Sequence, residues 1–129
     1  GKCKRTLQQA MSDCFDPLKD ELGTVPTTLH DSKYITASML GICEAYALSN
    51  NITKNQKIAL ITDAVFEEVF RRESTAVLTL VDQWLNSNDS EFISIYEQAK
   101  SRTTSMELDL EWLKDYAVTH FEPSRNLML

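Results

Sequence analysis

The sequence predicts an all-α protein, a single compact bundle of five to seven short amphipathic helices. Apolar residues recur every three or four positions along nearly the whole chain, which is the spacing of one helix face. The strict alternation typical of a half-buried strand is not sustained anywhere. Glycine occurs only three times, which argues against the glycine-rich phosphate loops and nucleophile elbows of many enzymes.

Length, charge and cysteine content narrow the class further. With 129 residues, 43% of them hydrophobic, we expect one helical domain over residues 1–129, with residues 1–5 and 123–129 as flexible tails. The net charge of −6 disfavours nucleic acid and anionic membrane surfaces and favours a basic partner. No apolar stretch approaches the roughly 18 residues of a membrane span. Three cysteines without a C-x-x-C spacing predict free thiols and a cytoplasmic location.

The first helical segment is expected from about residue 6 to residue 22, with an interruption inside it. Pro17 cannot continue a helix, and Asp16 before it is a good capping residue. The segment is therefore predicted to divide into two short helices. Residues 23–28 contain a glycine, a proline and three threonines, which is typical of a loop.

The second segment begins at a capping residue, Asp31 or Ser32. Apolar side chains then follow at the spacing of one helix face: Ile35, Met39, Ile42 and Tyr46. A neighbouring face carries small residues: Ala37, Gly41 and Ala45. Small side chains let another helix approach closely, so we expect tight packing at Gly41.

The third segment, about residues 54–72, is predicted to be the central buried helix of the bundle. A Thr53-x-x-Gln56 capping box precedes it, and apolar residues from Ile58 onward cover more than half of its circumference. Its charged edge offers two i,i+4 ion pairs, Glu67–Arg71 and Glu68–Arg72.

Three more segments complete the bundle. Ser74 is expected to cap the fourth, and the polar run over residues 86–90 ends it and caps the fifth. The sixth is expected to begin at a cap within residues 103–105, with Met106 and Leu110 facing inward.

The sixth segment and the C-terminus carry the candidate binding residues. Three acidic residues recur there at i, i+4 and i+8, and two apolar residues form a line beside them. Apolar surface flanked by charge is typical of a protein-binding surface. The predicted partner-binding residues are Glu107, Leu108, Glu111, Trp112, Asp115, Leu127 and Met128.

We therefore expect a small acidic protein-interaction module, such as an adaptor, a chaperone, an immunity protein or a regulatory protein. The partner is another protein of basic character, or a second copy in a homodimer. The chain has only two histidines, His30 and His120, and neither follows a glutamate at the spacing of a di-iron or zinc-hydrolase motif. No enzyme activity, cofactor or metal is predicted.

The alternative hypothesis is a helical bundle that binds a small apolar ligand or a lipid in its core. Four aromatic residues of the second, third and fourth segments would line such an interior: Tyr46, Phe66, Phe70 and Trp84. The same four residues would also suit an ordinary core, so the sequence leaves the alternative open.

Overall fold

The described part of the chain is a single bundle of six α-helices, which confirms the predicted fold class. The computed structural model describes residues 1–103 and 107–125. Short 3₁₀ turns lie at Asp16–Leu18, Thr27–Leu29 and Arg71–Glu73, and the described residues contain no strand. The helices are α1 (Lys2–Cys14), α2 (Lys33–Ser49), α3 (Asn55–Phe70), α4 (Ser74–Asn86), α5 (Ser90–Arg102) and α6 (Glu111–His120).

The most enclosed helix is α2, which corrects the prediction that the third segment occupies this position. Every residue from 35 to 43 is buried in α2. Helix α3 does pack against α1, α2 and α4, but its other side faces solvent, where Leu60 is 68% exposed. Low charge permits this burial: α2 carries only Lys33 and Glu44, so neighbours can cover it on nearly all sides without burying an unpaired ion.

The close approach predicted at Gly41 is present, and the neighbour is α5. A Cβ atom added at Gly41 would lie 2.5 Å from the backbone oxygen of Tyr96 and 3.0 Å from the Cβ of Ala99. The two helices therefore meet backbone to backbone at this point. This contact also explains why α2 contains a glycine, which costs about 1 kcal/mol of helix propensity relative to alanine.

Asparagine takes the usual place of glycine at two helix ends. Asn51 after α2 and Asn88 after α4 have φ of 64° and 53°, in the left-handed region. The residue after each donates its N–H back into the helix, Ile52 to the carbonyl of Ala47 and Asp89 to that of Trp84, both at 3.0 Å. These bonds close Schellman motifs, in which asparagine is the best substitute for glycine. A chain with so few glycines can therefore still end its helices sharply.

Two of the predicted helix caps are confirmed by their hydrogen bonds, and those at Thr53 and Ser74 are not. Ser74 is the first residue of α4 and not its cap, and no side-chain capping bond forms at this start. The Ser32 hydroxyl accepts from the Ile35 N–H at 3.1 Å, and a carboxylate oxygen of Asp89 accepts from the Phe92 N–H at 2.9 Å. The predicted box at Thr53 does not form, because α3 begins two residues later, at Asn55. The residue preceding it, Lys54, provides no side-chain cap.

The two ion pairs predicted along α3 are absent from residues 1–103 and 107–125. Helix α3 ends at Phe70, and the backbone of Arg71 has a positive φ of 55°. The Arg71 side chain therefore does not lie on the helix face that carries Glu67. The Arg71 guanidinium donates instead to the backbone oxygen of Leu22, with Nη1 at 2.7 Å. That bond ties the loop after the first 3₁₀ turn to the junction of α3 and α4.

Residues 1–5, predicted to be a tail, form the start of α1. The Arg5 N–H donates to the Gly1 carbonyl at 3.2 Å, and Cys3 packs against the core. As expected from Pro17, the helix stops at Cys14 and a 3₁₀ turn follows. In the other predicted tail, the Ser124 N–H donates to the Leu18 carbonyl at 2.8 Å, so this part is anchored to the bundle; residues 126–129 lie outside the described residues.

Asp89 joins two helices electrostatically, and this predicts a pH dependence. Its second carboxylate oxygen lies 2.8 Å from Lys33 Nζ at the start of α2. That bond and the backbone bond from Phe92 lower the pKa of Asp89 below its ordinary value of 3.8. Because the folded state holds the proton less tightly, the stabilisation is present at neutral pH and is lost as the pH falls through the lowered pKa.

We expect a carboxyl ¹³C NMR titration to give Asp89 a midpoint below its ordinary pKa. In Lys33→Gln the midpoint should rise towards the ordinary value, since the largest cause of the shift is removed. The account would be wrong if Asp89 titrated at or above its ordinary pKa in the folded wild-type protein.

Asp89→Asn, which keeps a capping oxygen, should destabilise the fold less than Asp89→Ala.

Candidate functional site

The predicted binding surface on the sixth segment is only partly assembled. Helix α6 begins at Glu111, not within residues 103–106, and the Asp109 carboxylate accepts from the Glu111 N–H at 3.0 Å at this start. Glu107 therefore precedes the helix and does not continue the acidic stripe. Glu111 and Asp115 are exposed on α6. Leu127 and Met128, predicted to add apolar surface, lie outside the described residues.

Leu108 and Trp112, the apolar line of that surface, are both half-buried and pack against the core. The Arg102 guanidinium carbon lies 4.6 Å from the centroid of the Trp112 ring, at cation–π distance. The Tyr34 ring meets the Trp112 ring edge-on, with centroids 6.5 Å apart. Trp112 is thus held by α2 and α5 and is neither a fully buried core residue nor a free aromatic.

Sequence reasoning missed the aromatic cluster to which Trp112 belongs. Tyr34 of α2 stacks on Tyr116 of α6 with ring centroids 3.6 Å apart, and His120 follows at 4.2 Å from Tyr116. The sequence does contain a signal for this cluster, since three aromatic side chains recur at i, i+4 and i+8 on one face of α6: Trp112, Tyr116 and His120. The cluster fastens α6 to the bundle.

A second surface, also missed, is a groove between α2, α3 and α4, here called the α2–α4 groove. Its volume is about 350 Å³. Most of its lining is apolar: Leu40, Leu48, Ile58, Ala59, Leu78, Val81 and Leu85. The polar residues of the lining are Glu44, Asn55, Thr62, Asp63 and Asp82.

The groove exists because α3 packs against both α2 and α4, whereas α2 and α4 make few contacts with each other. Helix α2 lines the groove at positions 40, 44 and 48, and α4 lines it at positions 78, 81, 82 and 85. The first half of α3 contributes positions 55, 58, 59, 62 and 63. Leu48 remains 48% exposed at the edge.

The charges of the groove all have one sign. Each helix contributes one acid, Glu44 from α2, Asp63 from α3 and Asp82 from α4, and no lysine or arginine of the described residues lines the groove. None of the three forms an ion pair within the described ranges. Glu44 accepts a hydrogen bond from the Tyr96 hydroxyl. Burial and this bond raise the pKa of Tyr96, so the phenol stays protonated and can donate to Glu44.

The histidines and cysteines are placed as packing residues. The His30 ring lies edge-on to Phe70 at 5.5 Å, and within residues 1–103 and 107–125 neither His30 nor His120 bonds to a carboxylate. Burial raises the pKa of Cys14 to about 12 and also raises that of Cys43, which keeps both as unreactive thiols. Within the same ranges no three metal-ligating side chains cluster.

The four aromatics of the ligand hypothesis do not line the α2–α4 groove. Phe66 and Phe70 are buried in the core with ring centroids 5.9 Å apart. Trp84 packs on Phe92 at 5.5 Å, and Lys33 lies over its ring. Phe66 and Phe70 therefore belong to the core, whereas Tyr46 and Trp84 are half-buried and pack against it.

The described residues form an all-helical bundle with an open apolar groove that is flanked by three acidic side chains. No protein-family model matches the chain, and comparisons with curated proteins and with solved structures found no significant match. None of the described helices combines the length and the apolar character that a bilayer crossing requires.

Proposed function

We propose that this chain is a non-catalytic protein-interaction module that binds a partner protein in the α2–α4 groove. The observation that carries the proposal is a groove between three helices with a mostly apolar lining, at whose edge Leu48 is about half exposed. Contiguous exposed apolar surface with a polar rim is typical of protein-binding sites. Grooves between helices are a recurrent form of such sites.

The face of α6 is a second candidate surface, favoured by one observation. Val118 is 45% exposed and follows Glu111 and Asp115 by seven and three residues, so an apolar side chain adjoins two exposed acids. Of the other predicted partner-binding residues, Leu108 lines the same surface pocket as Glu111, and Trp112 follows Glu111 in α6.

The small-ligand alternative has less support than a protein partner. A groove whose rim residues Leu48, Asp63 and Asp82 reach solvent would leave much of a small apolar ligand uncovered, whereas small-molecule sites bury about 70–90% of their ligand.

The three free cysteines support the proposal of a reducing, cytoplasmic setting.

Site-specific photo-crosslinking in the native host tests the proposal. A photoreactive amino acid at position 48 should give a discrete adduct with a partner protein, since that side chain lies at the edge of the groove. Position 60 is the matched control, because Leu60 is also an exposed leucine but lies outside the groove. The same probe at position 118 reports on the face of α6.

The outcomes separate the hypotheses. An adduct at position 48 without the same adduct at position 60 supports the groove. The same partner captured at position 118 alone would move the docking surface to α6, and equal capture at positions 48 and 60 would mean nonspecific contact. An adduct of twice the chain mass would identify a second copy as the occupant. Absence of any adduct would overturn the proposal.

A further inference from the structure

We infer that the α2–α4 groove accepts a basic amphipathic helix of two to three turns, presented by a different protein. The inference rests on the proposed function and specifies the partner of the same site. Its three parts are the backbone conformation of the occupant, its length and its charge, and each follows from residues that line the groove.

The occupant is helical because of its backbone hydrogen bonds. All three elements around the groove are helices, whose interior N–H and C=O groups are already paired, so no free sheet edge can bond an extended peptide. In the lining, the Thr62 hydroxyl donates to the Ile58 carbonyl at 2.9 Å, which leaves Asn55 as the main uncharged side chain for a peptide backbone. A helix satisfies its own backbone, and only its side chains need to enter the groove.

The length of the occupant follows from the helices that line the groove. The α2 stripe from Leu40 to Leu48 spans nine residues, which rise about 12 Å, and the α3 stripe from Asn55 to Asp63 has the same extent. About eight to eleven residues of a partner helix cover that distance, which is two to three turns. Apolar side chains at i, i+4 and i+7 of the partner would then pack against the apolar lining.

The charge of the occupant follows from the three acids. Because Glu44, Asp63 and Asp82 come from three different helices, a helix lying in the groove would meet carboxylates on both of its sides. Lysine or arginine beside the apolar face would pair with them, and acidic residues there would be repelled. The net charge of −6 adds long-range attraction for the same basic partner.

A second copy of this chain offers no matching helix among the described residues. The basic positions of α1, Lys2 and Arg5, share its exposed side with Gln9 and Asp13, all of them polar. The exposed leucine of α3, Leu60, is followed along its face only by the half-buried Ala64 and then by the exposed acid Glu67. The exposed side of α5, which carries Arg102, is polar throughout, and a second copy would also bring the same net charge of −6. The occupant is therefore a different protein.

Three fluorescently labelled twelve-residue peptides test the inference on the full chain. All three carry leucine at i, i+4 and i+7, and the flanking positions are lysine in one peptide, glutamine in the second and glutamate in the third. We expect fluorescence anisotropy at low salt to give the lysine peptide about tenfold tighter binding than the glutamate peptide. The difference should shrink at high salt, because the carboxylates are near the surface.

Matched variants assign the effect to the groove. The double variant Asp63→Asn with Asp82→Asn should reduce the lysine preference several-fold, while Asp115→Asn, which removes one exposed acid from α6, should leave it nearly unchanged. Leu48→Asn should weaken all three peptides, and Leu60→Asn should not. Circular dichroism checks that each variant is folded.

The inference and the proposed function fail in different ways. Equal binding of the lysine and glutamate peptides, or an equal loss in Asp115→Asn, overturns the basic-helix inference, while a crosslink at position 48 would still support a groove-bound partner. Binding that follows charge but is insensitive to Leu48→Asn also overturns it, because the peptide would then lie elsewhere. If no peptide binds and no partner crosslinks at position 48, both proposals fall.

Discussion

Phe66→Ala is expected to lower the free energy of unfolding by about 3–5 kcal/mol, the largest effect of any single change considered. Phe66 is fully buried on the side of α3 that faces the bundle, and its ring packs near that of Phe70. Truncation removes its buried apolar area and leaves a cavity that the surrounding helices can close only in part. Urea unfolding followed by circular dichroism measures the loss, with an unchanged m-value expected.

Leu60→Ala is the control for Phe66→Ala within the same helix. Leu60 is 68% exposed, so its truncation should change the free energy of unfolding by no more than about 0.5 kcal/mol. A large loss in both variants would mean that α3 is buried on all sides, as its sequence pattern predicts. A small loss in Phe66→Ala would contradict the core described here.

Gly41→Ala is expected to destabilise the protein by about 1–3 kcal/mol, even though alanine is the better helix former. The new methyl group would lie 2.5 Å from the backbone oxygen of Tyr96, a distance that no side-chain rotation can relieve. Helix α5 would have to move away from α2 and loosen the closest helix pair of the bundle. Equilibrium unfolding in urea gives the magnitude, and amide hydrogen exchange should show faster opening of α5.

The control for Gly41→Ala is another substitution to alanine in the same helix, at a position where it raises helix propensity without producing a clash. Ser49→Ala, at an exposed position in the last turn of the same helix, should leave stability unchanged or raise it by a few tenths of a kcal/mol. Opposite signs in the two variants attribute the loss at Gly41 to the contact with α5. A stabilised Gly41→Ala would show that α2 and α5 are farther apart than described.

Local sequence patterns were sufficient for the fold class and for several details of the chain. The spacing of apolar residues predicts helices, Pro17 predicts the interruption after α1, and the small residue Gly41 predicts a close neighbour. Each of these rests on the conformational preference of one residue or on the period of one element. The neighbour of Gly41 could not be named, because helix pairing depends on residues far apart in the chain.

The spacing of apolar residues was not sufficient to predict which helix is the most enclosed. A wide apolar face on α3 suggested a central position, but burial depends on which faces receive neighbours. Helix α2 is enclosed because α1, α3, α5 and α6 all pack against it, which its few charges and its small residues facing α5 permit. The few charges and the small residues of α2 are visible in the sequence, but the wider apolar face of α3 favours α3 as the central helix.

The candidate site was the least predictable part of the molecule. The α2–α4 groove combines residues from three helices, from position 40 to position 85, and no local pattern marks a space that neighbouring helices leave unfilled. The predicted surface on the sixth segment assumed a helix from about residue 103. Because α6 begins only at Glu111, the stripe from Glu107 to Asp115 is broken.

Methyl NMR of the leucine- and valine-labelled protein, titrated with the lysine-flanked peptide, tests the central claim most directly. The account predicts progressive shifts at the groove methyls of Leu48, Leu78 and Leu85, with the signals of Leu60 unchanged. Shifts confined to Val118 on α6, with the three groove leucines unchanged, would contradict it.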